Sequence, residues 1–520
     1  MESTTSSIES VTLEYNSAIN NELFPIQGLP EEVLEQIFSF LPFLDRKSAS
    51  LVCTTWERLA FGPGFLRKVA LKIGPPGSFI HKSNRRYRNI LLNRHVYSNF
   101  PFQYVLEILD RFATDVESFQ CKGHLGSEQV CMVLSRLSNL QQLIVGLDFR
   151  DWHTIPPFLQ VQTPGPLNNE LQIKSLNVPN VTHLSISFTN SKDAMDSMAV
   201  LQRLAPQLKN VDLYSTELFI PLEQLQFPKA EVLKIGENLS VTQNGRDLRT
   251  FFAGFKLLKE VRLDCVVEEI GIDLITKACP GIELFEFKVP RFNSIPFHLL
   301  ECLKYLKTLG LGPVYEVPAN TPICNPLVSV KNLSMELFEC EESCIERLRH
   351  LLPNVIAMDV TLSIFPDDDW TFETGLKHIC RNFRELQRLV IDDLTYRNGT
   401  LSSLLDLEQL DQLEDLTFKG IDTQIGNMPT NPLLKRFVIH HPDWLSDEDL
   451  LELARKYPNL RYLELGLGRR VSSEGVAAFK SQLVNCVVHC VPDPTGCWDP
   501  IYKNYIDELL LLNRNWFPRP

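Results

Sequence analysis

No stretch of this 520-residue chain approaches the roughly 18 uninterrupted apolar residues that a membrane-spanning helix needs, so no membrane partner is expected. The opening residues, MESTTSSIESVTLEYN, carry acidic side chains where a secretory leader needs basic ones and lack its apolar core. No secretory targeting is expected. Positive charge is in deficit: 51 Lys and Arg stand against 64 Asp and Glu, for a net charge of −13. Such an average surface repels polyanions, which argues against a nucleic acid or an anionic membrane as the main partner and leaves local basic patches open. The motifs of the common catalytic classes are missing too. There is no phosphate-binding P-loop, no dinucleotide fingerprint, no nucleophile elbow and no His-Glu-x-x-His helix, so neither catalytic residues nor a cofactor is expected. The 13 cysteines are odd in number and follow no regular framework. They suit a reducing compartment in which thiols act as small buried apolar groups, and the expectation is cytoplasm or nucleus.

What is present is a folded composition, 44% hydrophobic and 22% charged, able to bury a large core. The most informative stretch runs from Gly28 to Phe61, GLPEEVLEQIFSFLPFLDRKSASLVCTTWERLAF. Pro30 suits the first position of a helix, and Glu31 and Glu32 follow where the helix dipole favours negative charge. Val33, Leu34, Ile37, Phe38 and Leu41 recur at helical spacing until Pro42 stops the helix. Asp45 is read as the N-cap of a second helix carrying Ala49, Val52, Cys53, Trp56 and Leu59. A unit of fewer than about forty residues rarely stabilises itself unaided, so its apolar faces predict a protein partner.

Leu29-Pro30, Val33-Leu34, Ile37-Phe38, Leu41, Leu44-Asp45-Arg46, Leu51-Val52-Cys53 and Trp56 together resemble an F-box. The resemblance implies that Leu29, Pro30, Val33, Leu34, Ile37, Phe38, Leu41, Leu44, Leu51, Val52, Cys53 and Trp56 bind a Skp-family adaptor. Through that adaptor it implies a cullin and a RING protein, the parts of an SCF ubiquitin ligase.

Taken in order, residues 1–24 read as a disordered tail, 25–65 as the F-box helices and 66–114 as a linking segment with a first strand and a basic loop. Within the linker, Leu66, Val69, Leu71 and Ile73 suit a strand, and His81 to Arg94 reads as a solvated loop and helix face. From residue 115 to 520 an L-x-x-L-x-L unit recurs every ~24 to 28 residues, the window of leucine-rich repeats. Clear copies are Leu140, Leu143 and Val145; Leu258, Val261 and Leu263; and Leu460, Leu463 and Leu465. Weaker ones lie near Val116, Val181, Ala230 and Leu483. Amphipathic segments such as Cys344–Leu352 lie between them, often closed by a proline such as Pro353 or Pro458. One strand and one helix cannot bury their own core, so neighbours stack into an α/β solenoid, a horseshoe whose parallel sheet lines the inner face. No regular Asn or Cys follows the last strand residue, so the arc is expected to be irregular. Residues 148–169 and Pro366-Asp367-Asp368-Asp369-Trp370 are expected to loop out, and Ile501 to Asn513 to cap the last repeat as a helix.

Candidate metal ligands are few. Cys486, His489, Cys490 and Cys497 are close in sequence, but Val487 and Val488 between them read as a final strand. Cys340 and Cys344 read as packing residues, and His440-His441 as a surface pair on the rim. Side chains alternate across a strand, so residues between the core positions face out of the inner sheet. Those chosen as a target-binding surface are Asp212, Tyr214, Arg262, Asp264, Glu286, Lys288 and Asp359, then Arg388, Asp392, Lys419, His440, Tyr462 and Glu464. An F-box followed by such repeats resembles the F-box and leucine-rich-repeat family across nearly the whole chain. That implies a non-catalytic substrate receptor of a ubiquitin ligase. The other readings kept open are a scaffold that binds partners without ubiquitylating them and a receptor whose arc encloses a small molecule. The latter needs converging Arg and Lys, which appear only scattered along the sequence.

Overall fold

The computed structural model describes most residues from Ile26 to Pro492, leaving out 74–84, 94–101, 147–179, 216–221, 237–244, 289–294, 315–324, 338–341, 363–371, 394–399, 441–444 and a few isolated positions. The expected N-terminal tail, the two loops at 148–169 and 366–370 and the capping helix at 501–513 therefore lie outside the described residues.

Four short helices come first: α1 Glu31–Ser39, α2 Phe43–Ala49, α3 Thr54–Ala60 and α4 Pro63–Leu66. This corrects the two-helix reading. The segment carrying Ala49, Val52, Cys53 and Trp56 is two helices, because Cys53 is extended and caps α3, its Sγ accepting from the Trp56 N–H. Asp45 is in the first turn of α2 rather than ahead of it.

A 17-stranded sheet follows, and each of its strands pairs in parallel with the next of its strands along the chain, skipping only Thr400–Leu401 and Asp422–Thr423, which pair with each other. It runs from Ala70–Ile73 to Val487–Pro492, and neither end strand pairs with the other among the described residues. The sheet thus begins well before residue 115, in the segment expected as a linker. Asn89–Asn93, expected as part of a loop and helix face, is its second strand, with Ile90, Leu91 and Leu92 all buried. The arginines around it disguised a short apolar run. The weak copies near Val116, Val181, Ala230 and Leu483 lead into full strands at Ser118–Lys122, His183–Phe188, Val232–Ile235 and Val487–Pro492.

Registration is tight because one residue just outside each strand repeats the same bond. Glu117 N–H donates to Arg88 O, Gln141 to Glu117, Thr182 to Gln141 and Lys209 to Thr182, and the series continues to Val487 donating to Arg461. The L-x-x-L-x-L positions fill the space behind: Leu140, Leu143 and Val145 are buried, as are Leu460, Leu463 and Leu465. The helices occupy the opposite face from the solvent-facing sheet residues. Helices need ~10 Å of width against ~4.8 Å per strand, so stacking curves the solenoid with its sheet inward. The outer layer is uneven, with single turns at Leu222–Gln224 and Ile425–Asn427 where other repeats have helices of ten residues, such as Glu269–Ala278. Helix starts also bond to one another. Asp447 accepts from the N–H and hydroxyl of Ser472, the cap of the following helix, and a Cβ on Gly475 would sit 2.0 Å from the Asp447 Oδ1. Only glycine fits there.

Candidate functional site

Two surfaces emerge. The first is on the helical unit. Leu34 and Phe38 of α1 pack with Leu59, Ala60, Phe61 and Leu66 in a small core of their own. Phe38 meets Trp56 edge to face at 5.1 Å. Arg46 is also buried there, its guanidinium 3.6 Å from the Phe65 ring centre, and burial lowers its pKa. The expected adaptor-binding set is thereby split. Leu34 and Phe38 are spent on internal packing, which four helices allow and two would not. Leu29, Ile37, Leu41 and Trp56 are half-buried at its edge. Pro30, Val33, Leu51, Val52 and Cys53 are exposed, Leu51 at 82%. The Leu44 side chain lies outside the described residues. Phe40, absent from the expected set, is 78% exposed. Its spacing was informative: Val33, Ile37 and Phe40 share one face of α1 at i, i+4 and i+7.

This unit is fastened to the sheet. Tyr87 packs against both its core and the solenoid core, with its ring 5.7 Å from Phe112. Arg85 lies 3.6 Å over Phe61 and pairs with Glu57 at 3.5 Å, and Asn89 Nδ2 donates to Arg67 O at 2.7 Å. Two arginines read as solvated loop charge therefore hold packing contacts: Arg85 here, and Arg88, which pairs with Glu117.

The second surface is the inner sheet. Its expected residues do share one face, but most of their charges are matched across neighbouring strands. Lys234 pairs with Asp212 at 3.7 Å, Arg262 with Glu286 at 3.1 Å and Lys288 with Asp264 at 2.5 Å. Further along, Arg388 lies 3.6 Å from both Asp359 and Asp415 and Lys419 pairs with Asp392 at 3.2 Å, while Tyr462 donates to Glu464 of its own strand at 2.7 Å. His440 is opposite Lys419 in register. These side chains are a cross-strand ionic lattice rather than a row of free groups. Lys234, Asp415 and Arg436 belong to it and were missed. Asp415 and Arg436 hold the first strand position, which faces inward with the third and fifth because the period is two.

The lattice surrounds a hollow of about 370 Å³ between Tyr214, Lys234, Arg262, Glu286 and Lys288. Gly310 is in its floor, where a Cβ would collide with the Glu286 side chain at 2.3 Å. Three cations thus converge in space although they are scattered in sequence, but each faces a carboxylate. Asp212 is half-buried beside them, and desolvation raises its pKa against the opposing pull of Lys234 and Arg262. Arg262 Nε is buried without a hydrogen-bond partner among the described residues.

No group of three or more potential metal ligands occurs among the described residues. Cys486 is buried ahead of the last strand, and His489 and Cys490 are adjacent strand residues on opposite faces, so they do not converge. Cys497 and Cys340 lie outside the described residues, and Cys344 is buried packing.

Residues 26–72 match the F-box-like family. A comparison with curated proteins found no match. Among solved structures, LegL7, a leucine-rich-repeat-containing protein of Legionella pneumophila, is similar over 69% of this chain and 97% of its own, at 13% identity and a TM-score of 0.34. An internalin of Listeria monocytogenes is similar over 73% and 82%, at 11% identity and 0.27. A chain of the yeast Rad7 and Elc1 complex is similar over 86% and 90%, at 11% identity and 0.30. With the matched helices in front and the L-x-x-L-x-L strands in one parallel sheet behind, the chain is an F-box-like domain followed by a leucine-rich-repeat α/β solenoid.

Proposed function

We propose that this protein is the target-binding subunit of an SCF ubiquitin ligase. The F-box-like helices dock a Skp-family adaptor, and through it a cullin and RING protein, while the inner sheet holds a protein target. The observation that carries this reading is the exposure of Val33, Phe40, Leu51 and Val52 on a small unit whose own core is already filled by Leu34 and Phe38. Apolar groups left over after a core closes are what a partner covers. The chain carries out no bond chemistry. It raises the effective concentration of a target lysine near the ubiquitin thioester.

The test is co-purification of the full chain with a Skp-family adaptor, comparing V33E/L51E with wild type, followed by measurement of ubiquitin conjugates on captured partners. Loss of the adaptor with an unchanged melting transition is expected. Retained adaptor overturns the docking face. Adaptor binding without any conjugate that depends on residues 26–66 would instead favour a scaffold.

A further inference from the structure

We propose that the turns entering the middle strands form a docking strip for an acidic peptide segment that also carries apolar or aromatic side chains. The strip is on the rim of the solenoid, apart from the hollow and from the F-box-like helices.

Its geometry follows from the backbone ladder. The residues just ahead of consecutive strands, Lys209, Glu231, Lys259, Glu283, Lys307 and Lys331, are joined N–H to carbonyl and so stand in one row. Lys259 pairs with Glu231 at 3.0 Å and Lys307 with Glu283 at 2.6 Å, which engages both carboxylates of the row. Lys209 and Lys331 are left over, and the same turns add Lys229, Lys256 and Lys304, all five exposed. None of these five ammonium groups meets a carboxylate among the described residues. A chain of net charge −13 thus gathers an unmatched cationic strip in one place.

Between the lysines stand Leu257, Tyr305 and Val328, 54%, 66% and 58% exposed. Leu257 and Tyr305 hold the turn position that elsewhere carries Asn139, Asn354 and Asn459, whose side chains donate to the carbonyls of Thr114, Val328 and Pro432 in the preceding repeat. In the middle repeats that structural amide is replaced by an apolar or aromatic side chain that is more than half exposed. Gly281 is the equivalent residue between them, and a Cβ there would meet nothing nearer than 3.8 Å. The outcome is a notch ~10 Å wide, two strand spacings, with Leu257 on one side and Tyr305 on the other.

Charge complementarity selects the occupant. The row from Lys209 to Lys331 crosses five strand spacings, ~24 Å, the length of about seven extended residues. Isolated lysines are point charges that suit carboxylates one at a time, and the strip has no arginine fork for phosphate. Leu257 and Val328 gain only from apolar side chains, which a nucleic-acid backbone does not offer. A long polyanion is also repelled by the rest of the surface, whereas a short acidic segment meets only the strip.

The test uses the full chain and a displayed library of random 12-residue peptides, selected on wild type and counter-selected on K256E/K304E/K331E. The expected binders are rich in Asp and Glu with Phe, Leu or Trp. They should weaken at least tenfold on the triple variant and on L257S/Y305S, weaken with added salt, and be unaffected by R262A in the hollow. Binders without acidic bias, binders that hold the triple variant equally well, or binders lost on R262A overturn the proposal. So does a single-stranded RNA 12-mer that binds wild type more tightly than the selected peptides. Adaptor co-purification, read in parallel, reports on the F-box-like face independently.

Discussion

Phe38 and Trp56 meet edge to face, ring centres 5.1 Å apart, inside a helical unit of which Leu51 is 82% exposed. Interior and exposed side chains therefore alternate within a few residues, so under the proposed function substitutions at neighbouring positions should separate folding from docking. Phe38→Ala removes a fully buried ring and should cost about 3–5 kcal/mol, enough to melt the unit and release any adaptor together. Val33→Glu, at an exposed position, should release the adaptor while amide exchange of residues 31–66 stays protected. Equal loss of protection in both variants would refute the division.

Tyr87 ties the helical unit to the sheet by packing on both cores. Tyr87→Ala should raise protease cleavage between the F-box-like helices and the second strand. Far-UV circular dichroism of the solenoid should change little, since each repeat is stabilised chiefly by its neighbours. A uniform loss of structure would show that Tyr87 serves the solenoid instead.

Asp212 gives a pH signature with a definite sign. Burial raises its carboxyl pKa on folding, so the folded state holds its proton to higher pH than the unfolded state does. Stability therefore falls as pH rises from the ordinary Asp range through the raised value. Asp212→Asn removes the titrating carboxyl and should flatten that part of the profile, read as melting temperature followed upward in pH from the ordinary Asp range. Parallel profiles for the two proteins would place the carboxyl in an ordinary environment.

Asn459 donates from Nδ2 to Pro432 O at 2.9 Å, one rung of the amide series ahead of the strands. Asn459→Ala should cost about 1 kcal/mol, a typical net hydrogen bond. The loss should appear as faster amide exchange in the repeats around residues 432–467. Global exchange without local change would argue against a rung.

Gly310 keeps the floor of the hollow low, its missing Cβ leaving room for the Glu286 side chain. Gly310→Val should displace Glu286 from Arg262 and, if the inner sheet holds the target as proposed, weaken its capture at least tenfold. Surface plasmon resonance with a captured target measures it, and adaptor affinity should not move.

Much of this architecture could be read along the chain. The F-box resemblance rested on about a dozen side chains in register, and the repeat on the recurrence of Leu, Val and Ile at fixed spacing, because a core position tolerates little else. Where that spacing was masked, reading failed. The second strand, Asn89–Asn93, is a short apolar run among arginines, and Lys234, Asp415 and Arg436 occupied strand positions that looked unremarkable one repeat at a time. The Asn139, Asn354 and Asn459 rungs were visible as Asn directly before a core Leu or Val, but ahead of the strand rather than behind it.

Local pattern sufficed for the order of helices and strands, because periodicity and capping act over a few residues that are contiguous in the chain. Which apolar residues of the F-box-like unit are spent on its own core, which charges cancel across the sheet and which lysines are left over all depend on side chains brought together from 20 to 30 residues away, as with Lys259 and Glu231, 28 apart. Charge matching and burial are properties of neighbours in space, and only the stacking of the repeats chose those neighbours.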